Sequence, residues 1–407
     1  SEMCIRDRVT GVVKDAAGEP IPGANVFWMN TTNGVTTNED GNFSIHKPAR
    51  SHMLVVSFIG FENDTIHVDK GNQQLDIVLR EGVELSEVNV VTRKLGTMKL
   101  RTSVMNEDMI SSAELTRAAC CNLGESFVTN PSVDVSYSDA ATGAKQIKLL
   151  GLSGTYVQMM TENIPNFRGA AAPYGLGYVP GPWMQSIQVS KGSSSVKNGY
   201  ESITGQINVE FKKPQLPEAD WVSANLFASS TNRYEANADA TVKLSKRWST
   251  SLLAHYENET KSHDSNDDGF VDIPRVEQYN VWNRWAYMGD HYVFQAGIKA
   301  LHETRNSGQI AHGNTPSHDL YEIGIKTNRY EAFTKNAYIF DKEKNTNLAL
   351  ILQGTLHNQD ANYGRKLYDV DQSNFYASLL FETELSKQHS LSAGLSFNYD
   401  GYDQNYR

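Results

Sequence analysis

The sequence predicts a mostly β fold in three blocks: an N-terminal β-sandwich, an α+β segment, and the first part of a transmembrane antiparallel β-barrel. Three observations lead there. Long stretches of the C-terminal half alternate polar and apolar residues with a period of two, as strands with one wet and one dry face do. No run approaches the ~20 apolar residues that a spanning helix requires, so any membrane insertion must use strands. The connections between the alternating stretches are short and long in turn, the layout of outer-membrane barrels.

Composition narrows the classes. At 407 residues the chain holds two or three domains, and 10% aromatic residues, 19 of them Tyr, sit beside a mean hydropathy of -0.47. A net charge of -10 argues against a nucleic-acid partner, which needs a dense basic face. The cysteines, Cys4, Cys120 and Cys121, form no disulfide framework. Ser1 to Arg8 resembles translated sequencing-adapter read-through, so residues 1–8 are read as a non-native leader, with the native start and export signal lying outside the chain.

In residues 9–80, short apolar runs at Val9–Lys14, Ala24–Trp28, Asn42–Ile45, Leu54–Phe58, Thr65–Val68 and Asp76–Leu79 are separated by Gly, Pro and Asn-Gly turns. This is the pattern of a compact antiparallel sandwich. The stretches Gly11–Asp15, Pro20–Val26, Thr37–Phe43 and Ser57–Phe61 resemble the carboxypeptidase-regulatory-like domain. In Bacteroidetes-type receptors such a domain precedes a plug. The turn glycines and prolines have a sufficient local role in supplying positive or fixed φ.

Residues 97–212 are smaller and more polar, with isolated strands expected at Gln146–Leu149, Thr155–Met160, Met184–Val189 and Gly205–Phe211. Arg101 to Val128 reads as helical, with Ser111-Ser112-Ala113-Glu114 as its capping sequence. Asn130–Val135, Gln146–Leu152, Ile187–Gly192, Gly199-Tyr200 and Thr204–Val209 resemble, in order and spacing, the successive plug motifs of TonB-dependent outer-membrane receptors. One such motif is weak, but several over more than a hundred residues are specific.

Residues 213–407 supply independent physical support. Arg233, Glu235, Asn237, Asp239, Thr241, Lys243 and Ser245 alternate with Tyr234, Ala236, Ala238, Ala240, Val242 and Leu244. Leu391 to Asp400 repeats the pattern. Short turns at Ser245–Arg247, Gly289-Asp290, Asp341–Asn345 and Ser386–Gln388 alternate with long polar loops expected at Asn258–Arg275, Arg305–Asn328 and Asn358–Gln372. The hairpin near Ser229–Asn232 is short and breaks the rule. Trp221, Trp248, Tyr256, Trp282, Trp285, Tyr292, Tyr338 and Phe340 fit an interfacial girdle, and each is equally compatible with ordinary strand preference. The block yields about nine strands, against about 22 in plugged transporters, so the barrel is expected to be incomplete.

Candidate sites follow. Leu85–Thr92, within a linker at 81–96, resembles a TonB box; Glu87, Val88, Asn89, Val90 and Val91 would offer a backbone edge to a periplasmic partner, or form a plain linker strand. Asn166, Phe167, Arg168 and Tyr174, in a Gly-, Ala- and Pro-rich loop, are expected to face ligand at the plug apex. Asp264, Asn266, Asp268, Phe270 and Asp272 match the first nine positions of a calcium loop, but Arg275 stands where an EF-hand has Glu. Calcium in this external loop and a merely solvated acidic loop are both compatible with that. Cys120 and Cys121 are a soft-metal pair or buried small side chains.

Catalysis is not expected. None of the 11 histidines has Glu three residues on, and no Gly-x-Ser-x-Gly elbow, Walker A loop or Cys-x-x-Cys pair occurs. The resemblance implies import of a scarce ligand, a ferric siderophore, cobalamin or metal complex, energised through TonB and its inner-membrane complex. The protein would then sit in outer-membrane lipid, with its sandwich and TonB-box region in the periplasm. No cofactor is required on this reading. The rival is a non-transporting β-rich surface adhesin or binding protein, which would turn Ala236, Ala238, Val242, Leu395 and Phe397 into a core.

Overall fold

The computed structural model describes residues 8–15, 18–29, 34–48, 52–58, 64–68, 74–79, 98–99, 107–117, 121–127, 130, 133–152, 154–192, 197, 199, 201–214, 221–310, 320–342, 344–386 and 389–407. The chain divides into two compact units between Thr92 and Arg93.

The N-terminal unit is a sandwich of seven strands: β1 (Arg8–Lys14), β2 (Asn25–Trp28), β3 (Gly34–Thr36), β4 (Asn42–His46), β5 (Met53–Ser57), β6 (Asp64–His67) and β7 (Gln74–Val78). One sheet runs β4-β1-β7, with β1 antiparallel to β4 and parallel to β7; the other runs β3-β2-β5-β6. Alternate residues Val9, Val13, Val26, Trp28, Phe43, Ile45, Leu54, Val56 and Ile77 meet between the sheets. Thr37 is buried, yet its Oγ1 accepts from Ala24 N (2.8 Å) and donates to Ile21 O (2.7 Å), so no polar atom is stranded. The Asn38–Gly41 turn is built by the Asn38 side chain, which accepts from Asp40 N and Asn42 N, and by Gly41 at φ +72°. All six expected strands are present. Edge strand β3 was not anticipated, because three residues starting at a glycine carry no readable period.

The second unit opens with the plug: β8 (Met98–Lys99), β9 (Glu107–Ser111), α1 (Ser112–Arg117), β10 (Val133–Asp139), β11 (Ala144–Leu149), β12 (Val157–Thr161), β13 (Ile164–Pro165), β14 (Met184–Lys191) and β15 (Gly205–Phe211). Six strands form one sheet in the order β13-β12-β15-β14-β9-β8, and β10–β11 is a separate hairpin. Central β15 is buried along its whole length. The helix expected over Arg101 to Val128 is only the six residues of α1 among the described residues. It starts within the capping sequence, but Glu107–Ser111 pairs antiparallel with Ser186–Ser190 of β14, because Ile110 completes the sheet's apolar face.

Nine strands then follow in chain order in one antiparallel sheet, the wall: β16 (Trp221–Ala228), β17 (Arg233–Lys243), β18 (Trp248–Glu259), β19 (Arg275–Met288), β20 (Tyr292–Gly308), β21 (Glu322–Asp341), β22 (Thr346–Tyr363), β23 (Lys366–Ser386) and β24 (His389–Tyr406). The sheet is open, with β16 and β24 at its edges. Along β17, Glu235, Asn237, Asp239 and Thr241 are buried while Tyr234 and Val242 are exposed, as the alternation requires. Among the described residues no helix is long and apolar enough to cross a membrane.

Two expectations are corrected. Asn358–Gln372 is no loop: β22 and β23 stay paired as far as Tyr363↔Lys366 and turn on Gly364 at φ +63°. Its buried face is itself partly polar, with Gln359 and Gln372 buried beside Ala361 and Val370, and such a face is read as coil by a hydrophobicity pattern. Trp282 is no girdle residue. It is three positions from Trp285, so a period of two puts the two rings on opposite faces; Trp285 is exposed, whereas Trp282 is 6% exposed and packs edge-on against Phe211 of the plug (4.6 Å). Of the other girdle candidates, Trp248, Trp285, Tyr292, Tyr338 and Phe340 are exposed towards the short-turn ends, where Trp248 pairs with Tyr287 (5.1 Å) and Tyr338 with Phe340 (5.0 Å), while Tyr256 lies towards the long-loop end against Tyr279 (4.9 Å).

Candidate functional site

Alternation aims the polar face of β17–β23 at the plug, and the seam is held by charges. Arg284 on β19 is 2% exposed. Its guanidinium lies over the Trp282 ring (4.5 Å), donates to Lys212 O (2.7 Å) and pairs with Glu162 Oε1 in the β12–β13 turn (2.5 Å). Lys335 on β21 donates to Glu162 O (2.7 Å). Beside them, Glu210 on β15 is bonded by Asn208 Nδ2 (2.7 Å) and Lys213 Nζ (2.9 Å). Burial, and then the like charge of Glu162, push the Glu210 carboxyl up to about 7.

The four residues expected at the plug apex separate in the structure. Asn166 is 4% exposed and locked to the wall: its Oδ1 accepts from Arg329 (2.6 Å) and Phe167 N (2.8 Å), and its Nδ2 donates to Glu331 Oε2 (3.0 Å). Phe167, at φ +54°, is buried under Lys299 and Arg329. Arg168 is more open, and ties the plug to itself through Glu201 and to β24 through Asp400 (3.3 Å). Asn166 lines a small cavity with Glu162, Trp282, Lys299 and Glu331, whereas Tyr174 lines a wider cleft, with Arg305 stacked on its ring (4.9 Å).

That cleft, open to solvent, lies between the plug and the long-loop ends of β17–β20. The plug contributes Glu125, Tyr137, Lys145 and Tyr174; the wall contributes Arg233, Glu257, Glu259, Glu303 and Arg305. Arg233 is shared among three carboxylates, Glu125 (2.9 Å), Glu235 (2.7 Å) and Glu257 (2.9 Å). Arg305 binds Glu303 (3.0 Å) and Thr142 O (3.1 Å). Burial opposes ionisation of Glu125, but the Arg233 guanidinium outweighs it and holds that carboxyl below the usual carboxylate range. Burial lowers Lys145 and raises Tyr174. The sequence carries a signal for these wall residues, namely charged side chains at inward parity near strand ends, but their convergence depends on register and could not be read from it.

The remaining candidates are placed as follows. Glu87–Val91 and Cys120 lie outside the described residues. Cys121 is buried, and burial and then Glu235 push its thiol up, away from the thiolate that a soft metal needs. In the acidic loop, Asp264 accepts from Asp268 N (3.1 Å) and Gly269 N (2.9 Å), Asp268 from Phe270 N (2.8 Å), and Asp272 from Ser265 N (2.7 Å). These carboxylates brace their own loop, and among the described residues no three acidic, His or Cys side chains gather as a metal set.

Comparison with known proteins follows the same division. Residues 9–91 match the CarboxypepD_reg-like domain, and residues 99–206 match the TonB-dependent Receptor Plug Domain. TonB-dependent receptor SusC of Bacteroides thetaiotaomicron is 27% identical over 242 residues, 56% of this chain and 23% of that protein. TonB-dependent receptor P39 of Formosa agariphila is 34% identical over 87 residues, 21% of this chain and 8% of that protein. Among solved structures, the ferripyoverdine receptor of Pseudomonas aeruginosa aligns with a TM-score of 0.63 at 13% identity, over 85% of this chain and 52% of that one. The copper transporter OprC aligns at 0.61 and 12% identity, over 74% and 46%. The chain thus spans under a quarter of the length of the curated relatives it matches.

Proposed function

Because the chain belongs to the TonB-dependent receptors, as its sandwich, plug and open antiparallel wall indicate, we propose that it serves energised import across an outer membrane. The observation that carries this reading is the two-faced wall. Val222, Val242, Ile298 and Leu350 face outward as a lipid surface would, while the inward face grips a separately folded plug with charge pairs and hydrogen bonds. Such contacts hold the resting plug yet can be exchanged for water at modest net cost when it moves. An adhesin core is not favoured, since Ala238 and Val242 are exposed on β17, a strand paired on both sides.

On this reading a scarce ligand, a ferric siderophore, cobalamin or metal complex, enters at the cleft between plug and long loops. TonB engages the segment around Glu87–Val91 in the periplasm and draws on the plug. The test is growth of a deletion strain under iron, copper or cobalamin limitation, complemented by the full gene or by one lacking residues 87–91. Rescue by the full gene alone is expected under one limitation, and equal rescue by both would refute TonB coupling through this segment.

A further inference from the structure

Glu259, the last residue of β18, lines the cleft and is 6% exposed, yet among the described residues no hydrogen bond or ion pair reaches its carboxylate. The two arginines that line the cleft hold other carboxylates, and among the described residues its lysine makes no ion pair. Arg233 is divided among Glu125, Glu235 and Glu257, Arg305 is held by Glu303 and Thr142 O, and Lys145 lies over the Tyr137 ring (5.5 Å). His263 is tied through Nε2 to Thr231 O (2.7 Å). The charges of Arg233, His263 and Arg305 act on this carboxylate only through space, so a ligand cation placed against it would be its first direct partner. An anionic ligand would meet only Lys145, which burial already biases towards its neutral form, unless it drew Arg233 or Arg305 from a carboxylate and left a buried charge uncompensated.

The rest of the cleft fits an organic cation better than a bare ion. Tyr137, 60% exposed, and Ile273, 39% exposed, line the cleft together with Pro173 and Pro274, apolar surface on which a ring can lie. We propose that the cleft selects ligands bearing a positive charge, whether an organic cation or a cationic chelate, with the charged group on Glu259 and the apolar body against Tyr137. The inference rests on the import reading, whose cleft it describes.

The test titrates the full-length receptor, purified in detergent, with three phenols of like size and different charge: tyramine (cation), tyrosol (neutral) and 4-hydroxyphenylacetate (anion). Tyramine is expected to bind about tenfold more tightly than the anion. Glu259→Gln, which keeps the side-chain shape, should reduce tyramine to the level of tyrosol. Glu259→Lys should reverse the preference, and Tyr137→Ala should weaken all three together. Equal or tighter binding of the anion, no binding of any of the three, or an unchanged ratio in Glu259→Gln would overturn the proposal. Complementation under limitation is read separately, so a receptor that supports uptake but shows no charge preference loses this inference and keeps its function.

Discussion

Among single residues, Arg284 is the one whose loss the plug should feel most. It is nearly inaccessible, lies over the Trp282 ring of its own strand, and joins wall to plug through Lys212 O and Glu162. Arg284→Met keeps the volume but leaves Glu162 buried with Lys335 (3.6 Å) as its remaining cation, at a cost on the order of 3–5 kcal/mol. Limited proteolysis in increasing urea should therefore cut the plug of the variant at lower denaturant while the wall stays intact. Glu210 adds a pH dependence. Its folded value of about 7 lies above the ordinary 4.5, so between those values the folded protein holds more protons than the unfolded one. Stability is then fully present below the lower value and declines as pH rises through the upper one, by about 1–3 kcal/mol in all. Glu162, Lys335, Arg284, Lys213 and Asn208 are the groups around it. Urea midpoints of plug release should fall from about pH 5 to about pH 6, above which the discharge of Lys213, lowered by burial to about 6, works in the opposite sense, and Glu210→Gln should flatten that slope; a slope that survives the substitution assigns it to another group.

What could be read from sequence at the level of elements depended on whether a segment's environment repeats. Strands of the sandwich and wall bury every second residue, so Val9–Lys14 or Arg233–Lys243 announce themselves. The tip of β22–β23 buries a face that is partly polar, and β9 is a five-residue strand that runs straight into a short helix, so neither carries a readable hydrophobic period. Parity alone separates Trp282 from Trp285. Close packing within the plug was not visible at all. Gly205 begins β15 where a Cβ would fall 2.1 Å from Leu149 Cδ2 and 2.3 Å from Ser190 O. The leucine can turn aside, but the carbonyl belongs to the β14 ladder and cannot. Gly205→Ala should therefore destabilise the plug by at least about 1–3 kcal/mol and loosen the β10–β11 hairpin that Leu149 anchors. Amide exchange in Ala144–Leu149 would report it, and wild-type protection there would show that the sheet absorbs the methyl.

For the whole molecule, the sequence made the three-part plan legible through motif order and through alternating connections, but not how the plug would yield to a pull. That depends on strand order. β8 and β9 lie at the edge of the six-stranded sheet, and β8 is the first described strand after residues 81–96. β8 is held to β9 by two residue pairs, and β9 to β14 by five, from Glu107↔Ser190 to Ser111↔Ser186. A pull from the linker reaches the Glu107 end first and opens that ladder pair by pair, while central β15 and the charge lock at Glu162 stay loaded last. The clasp at the opening end is Asp108, 3% exposed, with Lys191 Nζ 2.8 Å from its carboxylate. Breaking a buried pair by removing one partner strands the other, so Lys191→Met should weaken this first step by about 3–5 kcal/mol while leaving the Arg284–Glu162 step alone. Single-molecule extension of the full receptor from residue 92, with the wall held in bilayer, should show two force steps, the first lowered by Lys191→Met and the second by Arg284→Met. One step that both substitutions lower equally would mean that the plug leaves as a single body.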